Sequence, residues 1–148
     1  MSESKNRQYI LAYNQLLKEC DNIYHEAAVR AGLSDCAFWI LHALWEENRP
    51  LTQSEIGDNA SLPRQTVNSA LKKLEKDGYL ILEKVSGKMG KSIHLTEKGE
   101  QFANIHIAPI TAAEERVCAQ FTQQEQDAFL STFRTLIDRL KSEIGEEE

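Results

Sequence analysis

Apolar positions recur at helical spacing through most of the chain, and the breaks in that rhythm mark the element boundaries. Residues 5–30 read as one long helix, with Ile10, Tyr13, Leu16, Leu17, Cys20, Ile23, Tyr24 and Ala27 in phase and Gly32 as the stop. Ser34 is placed to cap a second helix, and Leu33 and Phe38 stand at the positions of a hydrophobic staple. From Phe38 to Trp45 that helix is apolar nearly all round, which predicts the most buried helix of the fold; Asn48-Arg49-Pro50 ends it. Thr52 and Glu55 form a capping box, with Leu51 and Ile56 as its staple. The third helix they open is expected to be short, because Gly57-Asp58-Asn59-Ala60-Ser61 is turn-like.

The stretch from Ser61 to Gly78 is different in kind. Ser61 is a candidate cap, Pro63 suits a first turn, and Gly78 ends the helix. Val67, Ala70, Leu71 and Leu74 make one narrow apolar stripe. At 100° per residue the opposite face carries Gln65, Asn68, Ser69, Lys72 and Lys76, with amides, a hydroxyl and ammonium groups but no carboxylate. A solvated face in an acidic protein would mix signs. This one suits phosphates and base edges. With the short capped helix and turn before it, it makes a helix-turn-helix.

After Gly78, Tyr79–Val85 and Ser92–Leu95 read as two strands around a Gly-rich loop, Ser86-Gly87-Lys88-Met89-Gly90-Lys91. Thr96 caps the next helix, which carries Phe102, Ile105 and Ile107, and Pro109 is expected to kink or break it. Thr122 and Glu125 repeat the capping box, and Phe129, Leu130, Phe133, Leu136, Ile137 and Leu140 run at helical spacing toward an acidic tail.

Charge changes the picture once it is resolved along the chain. The net charge of −6 argues against a nucleic-acid partner. Residues 62–98, however, hold eight Lys and Arg against four Asp and Glu, a local +4 that leaves −10 for the remainder. Phosphate is neutralised at the contact surface, so the local patch decides. With 148 residues, 41% of them hydrophobic, the chain suits one globular domain; no apolar run approaches a membrane span, no signal peptide is expected, and the cytoplasm is the expected location. Cys20, Cys36 and Cys118 are odd in number and widely spaced, which excludes a disulfide framework and the common zinc patterns.

The run Leu74-Glu75-Lys76-Asp77-Gly78-Tyr79-Leu80, followed by a hairpin leading into Leu95-Thr96-Glu97-Lys98-Gly99, resembles the MarR family of winged helix-turn-helix transcriptional regulators across about residues 10–140. The resemblance implies a mainly α fold with a small β-hairpin wing (α+β): a winged helix-turn-helix core flanked by dimerisation helices. Residues 33–98 would form the DNA-binding lobe, and 1–32 with 99–148 the helical dimerisation lobe. Helices near 5–22, 104–118 and 123–143 would interlock in a homodimer. Its recognition helices would enter successive major grooves of a pseudo-palindromic double-stranded operator, commonly as a repressor. Small ligands, metals or oxidants commonly release such regulators. Wings of this family usually carry an Arg at the tip, whereas here the tip offers Lys88 and Lys91.

Candidate DNA contacts are therefore Thr52, Arg64, Gln65, Thr66, Asn68, Ser69, Lys72, Lys73, Lys88 and Lys91. The amides of Gln65 and Asn68 suit adenine, and Arg64 suits a phosphate. Tyr13, Tyr24, Phe38, Trp39 and His42 are the candidate lining of an effector pocket, and by resemblance the effector is a small aromatic anion. His42 and His106 lack a further ligand at metal-binding spacing, so no metal and no cofactor is expected. Oxidant sensing through Cys20 and a winged helix that binds protein instead of DNA are the alternatives. An enzyme is not expected, since no nucleophile elbow, phosphate-binding Gly-rich loop or catalytic carboxylate pair is present.

Overall fold

The computed structural model describes residues 4–60, 62–85, 87 and 90–145, with Asn59 and Ala60 as backbone only. Helix α1 (Lys5–Arg30) starts on Ser4, whose side chain accepts from the Arg7 amide. It ends where the Leu33 and Gly32 amides reach back to the Ala28 and Val29 carbonyls, at 2.9 and 3.0 Å. That closure requires the left-handed turn Gly32 makes at φ +72°.

Helix α2 (Asp35–Glu47) is the centre of the core: Cys36, Ala37, Phe38, Ile40, Leu41 and Leu44 are all buried. Ser34 caps it as expected, and Asn48 closes it in the left-handed region at φ 48°. Helices α3 (Gln53–Ala60) and α4 (Arg64–Lys76) pack on α2 through Ile56, Val67, Leu71 and Leu74. The α3 capping box forms, with Thr52 N–H donating to Glu55 at 3.3 Å and Glu55 N–H to the Thr52 hydroxyl at 3.2 Å.

Two boundaries differ from expectation. Helix α3 continues through Gly57–Ala60, because the box and the burial of Ile56 outweigh a glycine penalty of about 1 kcal/mol. The α4 cap position is Pro63, with no side-chain cap bond; the expected cap, Ser61, lies outside the described residues.

Strands β2 (Leu80–Lys84) and β3 (Lys91–Leu95) pair antiparallel, Leu80 opposite Leu95 and Lys84 opposite Lys91. A two-residue strand β1 (Leu51–Thr52) adds to the far side of β3, Leu51 facing Ile93, and makes the order β1-β3-β2. Helix α5 (Glu97–His106) is capped by Thr96. It ends three residues before Pro109, which sits in the first turn of α6 (Ala108–Cys118) where a missing N–H breaks no helical bond. The break expected near Pro109 is thus present, and the helix that the resemblance placed near 104–118 is two helices.

The chain divides into two compact units, one up to Ile107 and one from Ala108 onward. The second holds α6 and α7 (Gln123–Ile144), joined by a short turn over 119–122. The Thr122–Glu125 capping box is complete, and Gln126 Nε2 donates to the Cys118 carbonyl at 2.8 Å. No described residue of α6 or α7 is buried, and Phe121, Phe129 and Leu130 are more than half exposed. Among the described residues, no helix is long and apolar enough to cross a membrane.

Candidate nucleic-acid interface

Helix α4 is held by its apolar stripe and offers the rest of its surface to solvent. Val67, Leu71 and Leu74 are buried, and Arg64, Gln65, Thr66, Ser69, Lys72, Lys73 and Lys76 are exposed. By helical phase Gln65, Ser69, Lys72 and Lys76 share the outermost ridge. Thr66 and Lys73 flank it on one side, Arg64 and Asn68 on the other. A long helix face of donors and cations, anchored from behind, matches what a major groove of about 12 Å admits.

Asn68 is not free. It is half-buried, and its Oδ1 accepts a hydrogen bond from Gln53 Nε2, at the start of α3. Both residues line a cleft of about 940 Å³ between α3, α4 and the wing, together with Thr52, Arg64, Lys72 and Lys91. Glu75, the carboxylate on that side of α4, accepts from the Leu82 amide of β2 at 3.3 Å, so it is turned to the wing's backbone. The Thr52 hydroxyl is engaged in capping α3.

Lys91 is exposed at the base of the wing, directly across the ladder from Lys84. Like charges opposite one another destabilise a strand pair, and an approaching phosphate relieves that repulsion. Lys88 lies outside the described residues. Gln53 and Lys84 are the residues that sequence reasoning missed. Lys84 was recoverable from the hairpin register, whereas the Gln53–Asn68 bond joins residues fifteen apart on different helices.

The candidate pocket residues fall into two places. Tyr24, Phe38, Trp39 and His42 form one aromatic cluster around Trp39, whose ring lies 5.0 Å from Tyr24, 5.3 Å from Phe38 and 5.2 Å from His42. Phe38 is fully buried and backs the cluster. Tyr13 lies on the same face of α1 as Tyr24 but about 16 Å along the helix axis. His42 Nε2 is buried without a hydrogen-bond partner, with the Glu46 carboxylate 3.8 Å away. Of the cysteines, Cys20 and Cys118 are exposed; Cys36 is buried, its Sγ 3.8 Å from the Thr66 carbonyl, and burial raises its thiol pKa.

Known proteins agree with this geometry. Residues 31–88 match the family model of the MarR family. Over 135 residues the chain is 26% identical to an uncharacterized HTH-type transcriptional regulator, YwoH, of Bacillus subtilis strain 168, covering 90% of this chain and 97% of that protein. The fold is similar to that of NMB1585, a MarR family regulator from Neisseria meningitidis, with a TM-score of 0.79 at 22% identity over 95% of this chain and 99% of the other. It is also similar to Sco3205, a MarR family transcriptional regulator of Streptomyces coelicolor solved in complex with DNA, with a TM-score of 0.74 at 21% identity over 94% of each chain. The matched segment spans the helix-turn-helix, and over nearly its whole length the chain shares the winged fold of these MarR family regulators.

Proposed function

We propose that the chain is a cytoplasmic, homodimeric repressor that binds a pseudo-palindromic operator and is released by a small aromatic anion. The observation that carries the DNA-binding part is the outward ridge of α4, where Gln65, Ser69, Lys72 and Lys76 stand exposed on a helix anchored by Val67, Leu71 and Leu74. In this reading Gln65 and Asn68 read bases. Arg64, Thr66, Ser69, Lys72 and Lys73 hold the helix in the groove, and Thr52, Lys88 and Lys91 reach the backbone beside it. Half-sites then lie about 10 bp apart, one turn of the duplex.

The dimer reading rests on apolar surface. Leu16, Ile23 and Val29 of α1 and Phe121, Phe129 and Leu130 in the α6–α7 segment are exposed in the single chain. Exposed apolar residues in this number call for a partner, and a second copy supplies a self-complementary one. Residues 1–32 and 99–148 would then form the dimerisation lobe, and 33–98 the DNA-binding lobe.

The effector reading rests on the Trp39 cluster and the unpartnered His42 Nε2 beside it, which together offer ring faces and one polar anchor. Selection of bound fragments from a genomic library, followed by a gel shift, tests the core of the proposal. The expected result is a pseudo-palindrome bound by two chains. Failure to enrich any sequence overturns it.

A further inference from the structure

The Gln53–Asn68 bond joins a residue of α3 to the reading helix at the cleft that would face DNA. We propose that Gln53 is a positioning residue for base recognition: it locks the Asn68 amide in one orientation and so sets which base Asn68 prefers. This rests on the DNA-binding reading above.

A side-chain amide carries an oxygen with two lone pairs and a nitrogen with two hydrogens. Held only by rotation about its own χ2, Asn68 can present either atom first, and so can meet a base edge in two opposite senses. Gln53 Nε2 donates to Asn68 Oδ1, which fixes the oxygen on the α3 side. One lone pair of that oxygen and both hydrogens of Nδ2 remain for a ligand. An acceptor and a donor side by side in fixed order is the pattern that adenine answers with N6–H and N7.

The fixed order also fixes polarity. The oxygen lies toward α3, so the two orientations of an A·T pair are not equivalent at that step. Both residues are half-buried at the cleft wall with Lys72 and Arg64 beside them, so the amides are ordered before DNA arrives. Less side-chain freedom is then lost on binding. Ala in place of Gln53 frees the Asn68 amide without touching the ridge of α4.

The test compares the sequences selected by wild-type, Gln53→Ala, Asn68→Ala and the double variant, with melting curves for each. Gln53→Ala is expected to reduce discrimination by about tenfold at the same base pair that Asn68→Ala affects, with no further loss in the double variant. Gln53→Glu, which can only accept, turns the Asn68 nitrogen toward α3 and is expected to shift the preferred base at that pair. A uniform loss across all sequences, an effect at a different base pair, or a consensus unchanged by Gln53→Ala would overturn the inference while leaving DNA binding intact. A wild-type protein that selects no sequence overturns the DNA-binding reading and this inference with it.

Discussion

Gly99 lies so close against the backbone of Tyr79 that even a methyl group on it would overlap the Tyr79 carbonyl oxygen. That carbonyl accepts from the Thr96 amide at 3.1 Å. The Thr96 hydroxyl donates to the Gly78 carbonyl at 2.6 Å and accepts from the Gly99 amide at 3.0 Å. Lys98 Nζ takes the Asp77 carbonyl at 2.6 Å and lies 4.7 Å from the Tyr79 ring centre. Three successive carbonyls at the end of the recognition helix are therefore bound by the first turn of α5. The two sequence signatures, Asp77-Gly78-Tyr79-Leu80 and Leu95-Thr96-Glu97-Lys98-Gly99, are the two halves of one joint.

Gly99→Ala tests this joint by its sign. In an ordinary helix the change stabilises by about 1 kcal/mol. Here the added carbon must push two backbones apart, and a loss of roughly 3 kcal/mol is expected. Urea unfolding reads the difference, and a variant as stable as the wild type would contradict the packing described.

Removing charge and removing amides from α4 should have separable effects. Lys72→Ala is expected to weaken all DNA sequences alike and to lower the slope of log K against log salt by about 1. Gln65→Ala is expected to cost roughly 1–3 kcal/mol at one base pair and to leave that slope unchanged. Binding titrations at several salt concentrations on two operators differing at that pair separate the two. Identical behaviour of both variants would move the readout away from the ridge.

What the sequence showed and what it hid follow from how local each feature is. Caps at Ser34, Thr96 and Thr122 and the stop at Gly32 are decided within four residues, so they were legible. The α4 stripe was legible for the same reason, since its spacing is set by one helix. Strand β1 was not: two residues carry no alternation, and only pairing with Ser92 and Ile93 makes Leu51–Thr52 a strand. The extent of α3 was hidden because Gly57 reads as a turn until Ile56 is seen buried. The engagement of Asn68 by Gln53 was hidden because it depends on the angle between two helices. Local chemistry announced itself, and geometry between elements did not.

Dimerisation should fail without α7. Phe129 and Phe133 stack at 5.8 Å, Phe129 and Leu130 are more than half exposed, and deletion from Thr122 onward removes that surface from any dimer. Loss of the dimer in light scattering, with loss of operator binding, is the expected result. A soluble truncated monomer with a normal melting transition would contradict the dimer reading.

Cys36 should react last among the three thiols. Exposed Cys20 and Cys118 are open to alkylation, whereas burial raises the Cys36 pKa and keeps its thiolate scarce. The folded state therefore holds this proton more tightly than the unfolded chain does. Its stabilising effect is complete below the unfolded thiol's pKa and is lost as pH rises through the raised folded value. Cys36→Ala is expected to flatten the alkaline part of the stability curve, as measured by denaturant midpoints; an unchanged curve would deny the coupling.

Release by a ligand has the strictest test. Trp39 touches Tyr24, Phe38 and His42, so a small aromatic acid bound there must change its fluorescence. Release needs only that the ligand favour a spacing of recognition helices that two major grooves reject. About 2.7 kcal/mol of differential affinity gives a hundredfold loss of operator binding. The expected result is that fluorescence and operator affinity change over one concentration range, with Trp39→Phe abolishing the signal and His42→Ala weakening the ligand. Linkage then demands that saturating operator weaken the ligand by the same factor that the ligand weakens the operator. Two unequal factors would mean that the sites are not coupled. A response to peroxide abolished by Cys20→Ser, with no ligand altering the fluorescence, would replace the pocket by the exposed thiol of α1 as the sensor.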